Sequence, residues 1–409
     1  MISFAEARTI ALAHVAPLGT EEVALAQLLG RYLAEPIVAS FDVPLFDNSA
    51  MDGYGVKVAD VAEATEERPA RLTLQGVVRA GDAVTPELAA GGAVKLLTGA
   101  MTPPGVEAVV MSEFTEEREG AVLVTSPVKP GENIRRKGEE YRKGDIALPA
   151  GTRATPPVIG LLATFGYASA RVYTKPRVAV LVTGSELVAP GEPREEFQIY
   201  DSNSAALDSA LAALGITDRA VVRVRDEAAP LRATLAEALG SADVVLAAGG
   251  VSVGEYDLVK DVCAELGVET RFWQVKMKPA KPVYFGTHAR GEREQLVFGL
   301  PGNPVAVLVA FHEFVKPALL KMMGAAEVGP LLVLAVVCAK LKKKRGRREF
   351  VRGLAWAEEG RLCVKATAGQ GSHMLGGMAA ANCLIHLPPE AEMVAEGERV
   401  EIEFISWEW

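Results

Sequence analysis

Between residues 177 and 320, apolar runs of strand length alternate with helical patterns across Gly-rich joints, and a chain that alternates in this way folds as an α/β domain around a parallel sheet. Residues 177–183 read as a buried strand. Leu207, Leu211 and Leu214 then recur at helical spacing and stop at Gly215; a strand follows at 220–224, and a second helix runs through Leu231, Leu235 and Leu239 to Gly240. Residues 244–247, 257–266 and 295–298 continue the series, which predicts a doubly wound domain of about 145 residues.

At 409 residues the chain exceeds one such core, and roughly two to four domains are expected. The opening predicts a helix: Ser3 and Glu6 have capping-box spacing, and Ala7, Ile10, Ala11 and Val15 keep one apolar face. Residues 20–30 predict a second helix with a glycine stop. Short β-rich pieces at 72–78, 93–97, 108–111 and 121–124, separated by turn residues, predict a compact β domain over about 72–149, and a boundary follows near Thr174-Lys175-Pro176. Strand patterns return at 331–337, 350–354 and 399–404, which predict a second small β domain.

With 49% hydrophobic and 23% charged residues the chain is globular rather than disordered. Its longest apolar stretch, 330–339, falls far short of the roughly 20 residues needed to span a bilayer. The N-terminus has no signal-peptide pattern, so a cytoplasmic protein without membrane contact is expected. A net charge of -9 argues against nucleic-acid binding through phosphate neutralisation. The basic run 340–348 reads first as a solvated hairpin face and second as an anion patch. Cys263, Cys338, Cys363 and Cys383 lack CxxC spacing and read as buried thiols.

In an open α/β sheet, ligands bind beyond the carboxyl ends of the strands. Loops there include Thr183-Gly184-Ser185-Glu186, the run from Gly249 to Asp257 with Gly250, Ser252 and Gly254, and Pro301-Gly302-Asn303-Pro304. Glycines permit close backbone approach and helix starts offer free amides, so the loops together suit a phosphate; singly, each is equally a tight turn or a helix cap. In Lys278-Pro279-Ala280-Lys281-Pro282 each lysine precedes a proline. A polyproline-like course would set both ammonium groups on one side, about 9 Å apart. Carboxylates stand at comparable joints: Asp52, Glu140, Glu186, Asp226 and Asp257. Should they converge beside an anionic ligand, a hard cation such as magnesium (Mg2+) is implied, although Asp226 and Asp257 are equally helix caps. His14, His288, His312, His373 and His386 form no ligand spacing, and His312 reads as a core histidine. Ser372 lies in a polar Gly-rich turn, 369–373, suited to meeting a ligand. Neither a GxSxG elbow nor a GxxxxGK[ST] loop occurs.

Taken in order, Asp47-Asn48-Ser49-Ala50-Met51-Asp52-Gly53-Tyr54, Leu97-Thr98-Gly99-Ala100, Asn133-Ile134-Arg135-Arg136-Lys137-Gly138-Glu139, Thr183-Gly184-Ser185-Glu186-Leu187, Gly249-Gly250-Val251-Ser252-Val253-Gly254, Lys278-Pro279-Ala280-Lys281-Pro282 and Pro301-Gly302-Asn303-Pro304 resemble the molybdopterin molybdenumtransferases, a family that includes the C-terminal domain of gephyrin. The resemblance covers essentially the whole chain. It implies insertion of molybdate into the dithiolene of adenylylated molybdopterin with release of AMP, assisted by magnesium. It also implies a homodimer of four-domain subunits, with the active cleft shared between subunits, and contact with the molybdopterin adenylyltransferase. The domains would be a split one from 1–45 and 143–173, a small β domain at 46–142, the α/β domain at 174–325 and a β-barrel-like domain at 326–409. Carried over by position, Asp52, Thr98, Glu186, Asp226, Asp257, Lys278 and Lys281 would be catalytic. Asp52, Glu140, Glu186, Asp226 and Asp257 would hold the metal. Gly249, Gly250, Ser252, Gly254, Pro301, Gly302, Asn303, Pro304 and Ser372 would contact the pterin ligand. Glu140 departs from the family's usual aspartate, Ala280 from glycine, Ala248 from a hydroxyl residue and Gly55 from alanine. A tungstate-specific version of the enzyme and a non-catalytic pterin-binding scaffold are the alternatives; retention of the acids and lysines speaks against the scaffold.

Overall fold

The computed structural model describes residues 1–250, 258–291 and 293–405. Two compact units make up the chain: Met1–Glu35, Ala150–Gly160 and everything from Ala168 onward form the first, and Pro36–Pro149 with Leu161–Tyr167 form the second. No helix among the described residues is long and apolar enough to cross a membrane.

In the first unit, the central sheet runs edge to edge through Arg219–Val224, Val178–Thr183, Val244–Ala248, Arg293–Leu300, Tyr284–Arg290 and Glu269–Trp273. The first four strands are parallel, Tyr284–Arg290 runs against them, and Glu269–Trp273, antiparallel to it, completes the edge. Val178–Thr183 and Val244–Ala248 are buried along their whole length because helices cover both faces of the sheet. Val178, Val180 and Val182 pack into one core with Leu207 and Leu211, while Ala179 and Leu181 face the opposite core with Leu231 and Leu235. The helices responsible are Ser202–Ala213 and Ala228–Ser241, as the leucine spacing predicts. Alternation alone does not reveal the antiparallel edge, which a hairpin of Tyr284–Arg290 with Arg293–Leu300 creates.

The C-terminal strands close on themselves. Arg348–Glu358 pairs with Arg361–Ala366 on one side and Cys383–Leu387 on the other, and Leu332–Val337 and Arg399–Phe404 complete the barrel. Met277–Lys278 joins it from outside, in parallel register with Arg348 and Glu349. This short pairing carries the lysine segment from the α/β sheet to the barrel wall.

The N-terminal helix Phe4–Ala13 forms as expected, with Ser3 Oγ accepting the Glu6 amide at 3.1 Å. Phe4 packs edge-on against Phe314 and Phe350, with centroids 5.6 and 5.0 Å apart. The second expected helix does not form. Thr20–Ala24 is a strand paired antiparallel with Ser169–Tyr173, and only a 3-10 turn, Leu25–Gln27, follows. Pairing with a strand far along the chain overrides local helix propensity here.

The second unit is built on a six-stranded sheet in the order Ala108–Met111, Gly53–Val56, Gly92–Leu96, Ala70–Val78, Ala121–Val124, Thr115–Arg118. Tyr54, Val56, Leu72, Val110 and Val122 fill one of its cores. Two ladders flank the sheet, Asn48–Ser49 with Ile134–Arg135 and Ile37–Val38 with Ile146–Leu148.

Candidate functional site

At the carboxyl ends of the parallel strands, Gly249 has φ +95, and a Cβ there would lie 2.6 Å from Thr183 Oγ1 and 2.7 Å from the Thr183 carbonyl oxygen. Glycine alone tolerates both the dihedral and the approach. The Gly249 amide also donates to the Leu300 carbonyl at 3.0 Å, so three strand ends are locked together. Asn203 Nδ2 donates to the Gly302 carbonyl at 2.8 Å, holding the turn that begins at Pro301. Pro304 opens the helix Pro304–Ala310, and the Val305 amide donates to the Ser372 carbonyl at 3.1 Å, joining the C-terminal Gly-rich turn to the same place.

The lysine segment does not take the expected polyproline course. Ala280 sits at φ +68, in the left-handed region, and the Val275 amide donates to the Lys281 carbonyl at 2.9 Å, so the segment folds back as a tight loop. Both lysines line one pocket all the same. Alanine is strained in this left-handed conformation, which glycine adopts freely. Ala280→Gly is therefore expected to raise thermal stability by about 1 kcal/mol or less, and Ala280→Val to lower it. Thermal melting followed by circular dichroism checks both; a glycine variant that melts below the parent would show that burial of the methyl outweighs the backbone strain.

The pocket encloses about 810 Å³. From the expected set it gathers Gly250, Lys278, Lys281, Pro301, Gly302, Asn303 and Ser372. The C-terminal region supplies further cations: Lys340, Lys342 and Arg347 from the basic run, and Arg352, which sequence reasoning missed. Among the described residues, six cationic side chains thus line the pocket with one carboxylate, Glu349, whose oxygens lie 3.4 Å from Lys278 Nζ. The run 340–348 is therefore not the expected hairpin: Leu341–Lys342 pairs with Met393–Val394 while Arg348 begins the barrel strand, and Lys340, Lys342 and Arg347 line the pocket. Lys343 Nζ donates to the carbonyls of Pro388, Pro389 and Ala391 at 2.8, 3.2 and 3.0 Å, anchoring the segment while Lys340 and Lys342 line the pocket. The alternation of Lys340, Leu341 and Lys342, with only Leu341 buried, was the available signal. Arg352 is 2% exposed and donates from Nη2 to the carbonyls of Gly369 and Gly371 at 3.0 and 3.1 Å. Gln370 reinforces this link, accepting from the Arg352 amide at 3.1 Å and donating to its carbonyl at 2.9 Å. The turn bearing Ser372 is therefore fixed to the barrel.

The carboxylates are divided between the units. Glu186 is exposed and Asp226 half-buried in the first; Asp226 is not the cap of the following helix, whose N-cap is Glu227. In the second, Asp52 Oδ1 accepts from both the Thr98 amide and Thr98 Oγ1 at 2.7 Å. These two donors, the amide foremost, hold the Asp52 carboxyl below its ordinary pKa. Glu140 is exposed, and its amide donates to the Val43 carbonyl at 3.0 Å. Among the described residues, neither unit by itself gathers three of these acids. Ser252, Gly254 and Asp257 lie outside the described residues.

Residues 2–166 match the MoeA N-terminal region (domain I and II), residues 179–321 a probable molybdopterin binding domain, and residues 335–405 the MoeA C-terminal region (domain IV). The molybdopterin molybdenumtransferase of Haemophilus influenzae is 37% identical over 408 residues, covering 98% of each chain. The chain belongs to the molybdopterin molybdenumtransferase family. The Bacillus subtilis member is 36% identical over 400 residues, 95% of this chain and 92% of that one. A crystal structure of the molybdopterin biosynthesis MoeA protein of Pyrococcus horikoshii superposes with a TM-score of 0.83 at 32% identity, covering 99% of this chain and 100% of that one. The resemblance in the motifs thus holds at full length, and the protein is an enzyme of this kind, with a central α/β domain flanked by β-rich ones.

Proposed function

We propose that this enzyme acts in molybdenum cofactor biosynthesis by inserting molybdate into adenylylated molybdopterin, with release of AMP and with magnesium as cofactor, as a cytoplasmic homodimer of four-domain subunits supplied by the molybdopterin adenylyltransferase. The observation that carries the reading is the basic pocket: six cations around about 810 Å³ suit a ligand that brings phosphate groups together with an oxyanion. Lys278 and Lys281 from one wall and Lys340, Lys342 and Arg347 from the other offset that negative charge and orient it. Gly250 and Gly302 leave room for the ligand against the backbone. Arg352 and Gln370 keep Ser372 at the rim.

The family's magnesium suits the chemistry of Asp52, whose Thr98 donors fix one oxygen and keep the carboxylate ionised, leaving a hard oxygen donor. Its ligands would be drawn from Asp52, Glu140, Glu186, Asp226 and Asp257. When bound, magnesium would neutralise charge on the phosphoanhydride that is cleaved to release AMP.

The purified chain, supplied with adenylylated molybdopterin, molybdate and magnesium, is expected to release AMP and to yield cofactor that reconstitutes an apo-molybdoenzyme. Omitting any one component should abolish reconstitution. AMP release and reconstitution that proceed equally without the protein would overturn the assignment, and a tungstate arm reports oxyanion preference.

A further inference from the structure

A pocket that gathers six cations gains nothing for an anion from an acid in its wall, yet Glu349 lines it. Glu349 is 6% exposed and lies at the start of barrel strand Arg348–Glu358, opposite Lys278 on one side and Leu387 on the other. Both strand partners line the same pocket, so the register of the two ladders fixes the carboxylate there. Among the described residues, the hydrogen bonds that reach its oxygens come from Lys278 Nζ, 3.4 Å from each.

That pair does not use up the carboxylate. Charge-assisted hydrogen bonds from an ammonium close to about 2.7–2.9 Å, so both contacts are long, and the Lys278 side chain keeps 52% of its surface exposed. One ammonium shared equally between two oxygens leaves most of the roughly four acceptor sites of a carboxylate unfilled. Its neighbours are aliphatic: Leu387 lies across the ladder and Val351 two residues on, and both line the pocket with it. A carboxylate fork beside aliphatic side chains suits a flat heteroaromatic ring that offers two neighbouring N–H donors along one edge.

We propose that Glu349 recognises the pyrimidinone edge of the pterin, its two oxygens accepting from the ring N–H and from the adjoining exocyclic amino group. This deepens the reading of the pocket as the site of adenylylated molybdopterin and rests on it. Adenine offers a single amino group flanked by ring-nitrogen acceptors, which a carboxylate repels, so the acid selects the pterin end of the ligand over its nucleotide end. The cations take the phosphates and the oxyanion, and the acid fixes which way round the ligand lies.

Calorimetric titration of the full chain with adenylylated molybdopterin and with AMP separates the two ends of the ligand. Glu349→Gln, checked for folding by circular dichroism, is expected to bind adenylylated molybdopterin about tenfold more weakly or worse, and AMP no more weakly than the parent does. The amide leaves one acceptor for two donors, while its neutrality removes a charge that opposes phosphate. Weakening of both ligands alike, or of neither, overturns the assignment. A second measurement needs no variant: a pterin phosphate should displace adenylylated molybdopterin from the unmutated chain about tenfold more effectively, or better, than the corresponding lumazine phosphate, which carries a carbonyl oxygen in place of the amino group. Equal displacement overturns the assignment however the variant folds. Failure of adenylylated molybdopterin to bind the parent would instead remove the pocket from the reaction, and this inference with it.

Discussion

Lys281→Ala combined with Lys342→Ala is expected to weaken binding of adenylylated molybdopterin by about 100-fold or more, because each lysine removed costs a charge-assisted contact of about 1.5–3 kcal/mol. The two residues are exposed and reach the pocket from separate segments, so the losses should add and the fold should persist. Lys344→Ala is the control. It removes the same charge from the same basic run, yet Lys344 does not line the pocket. Calorimetric titration reads the affinity and thermal melting reads the fold. Equal affinities for the double variant and the control would remove the pocket from the reaction.

Gly53→Ala is expected to cost about 3 kcal/mol or more in the second unit and to abolish turnover. Gly53 pairs with Leu96 on one side and Met111 on the other, and an added Cβ would lie 2.1 Å from the Val110 carbonyl oxygen. A backbone oxygen at that distance cannot step aside as a side chain might, so the ladder must open. Asp52 is the residue before it, and the hydrogen bonds from Thr98 depend on that ladder. Chemical denaturation read with limited proteolysis measures the cost. A Gly53→Ala chain as stable and active as the parent would show that the sheet yields where the geometry says it is rigid.

How far the site was legible depended on how local its causes are. Gly250 and Gly302 drew notice because they follow strand ends, where ligands of α/β sheets bind, although each alone is equally a turn residue. Lys278 and Lys281 drew notice through their prolines, although the reason they share a pocket is the left-handed turn at Ala280 rather than a polyproline repeat. Lys340, Lys342 and Arg347 were read as a solvated face ahead of an anion patch because nothing near them in sequence signals that Met277–Lys278 will pair with Arg348–Glu349. The strand at 20–24 escaped for the same reason, its partner lying near residue 170. The α/β domain read well because its strands are continuously apolar and its helices carry regular leucines, both local patterns.

A concave surface with so many like charges also acts at a distance. Field lines focused by the low-dielectric walls draw anions in from solution before any contact forms, so ligand capture should be fast in dilute buffer and slow steeply as ionic strength shortens the Debye length. Phosphate and sulfate buffers would themselves occupy the cavity as competitors, and the same preparation assayed in a zwitterionic buffer would seem a better enzyme.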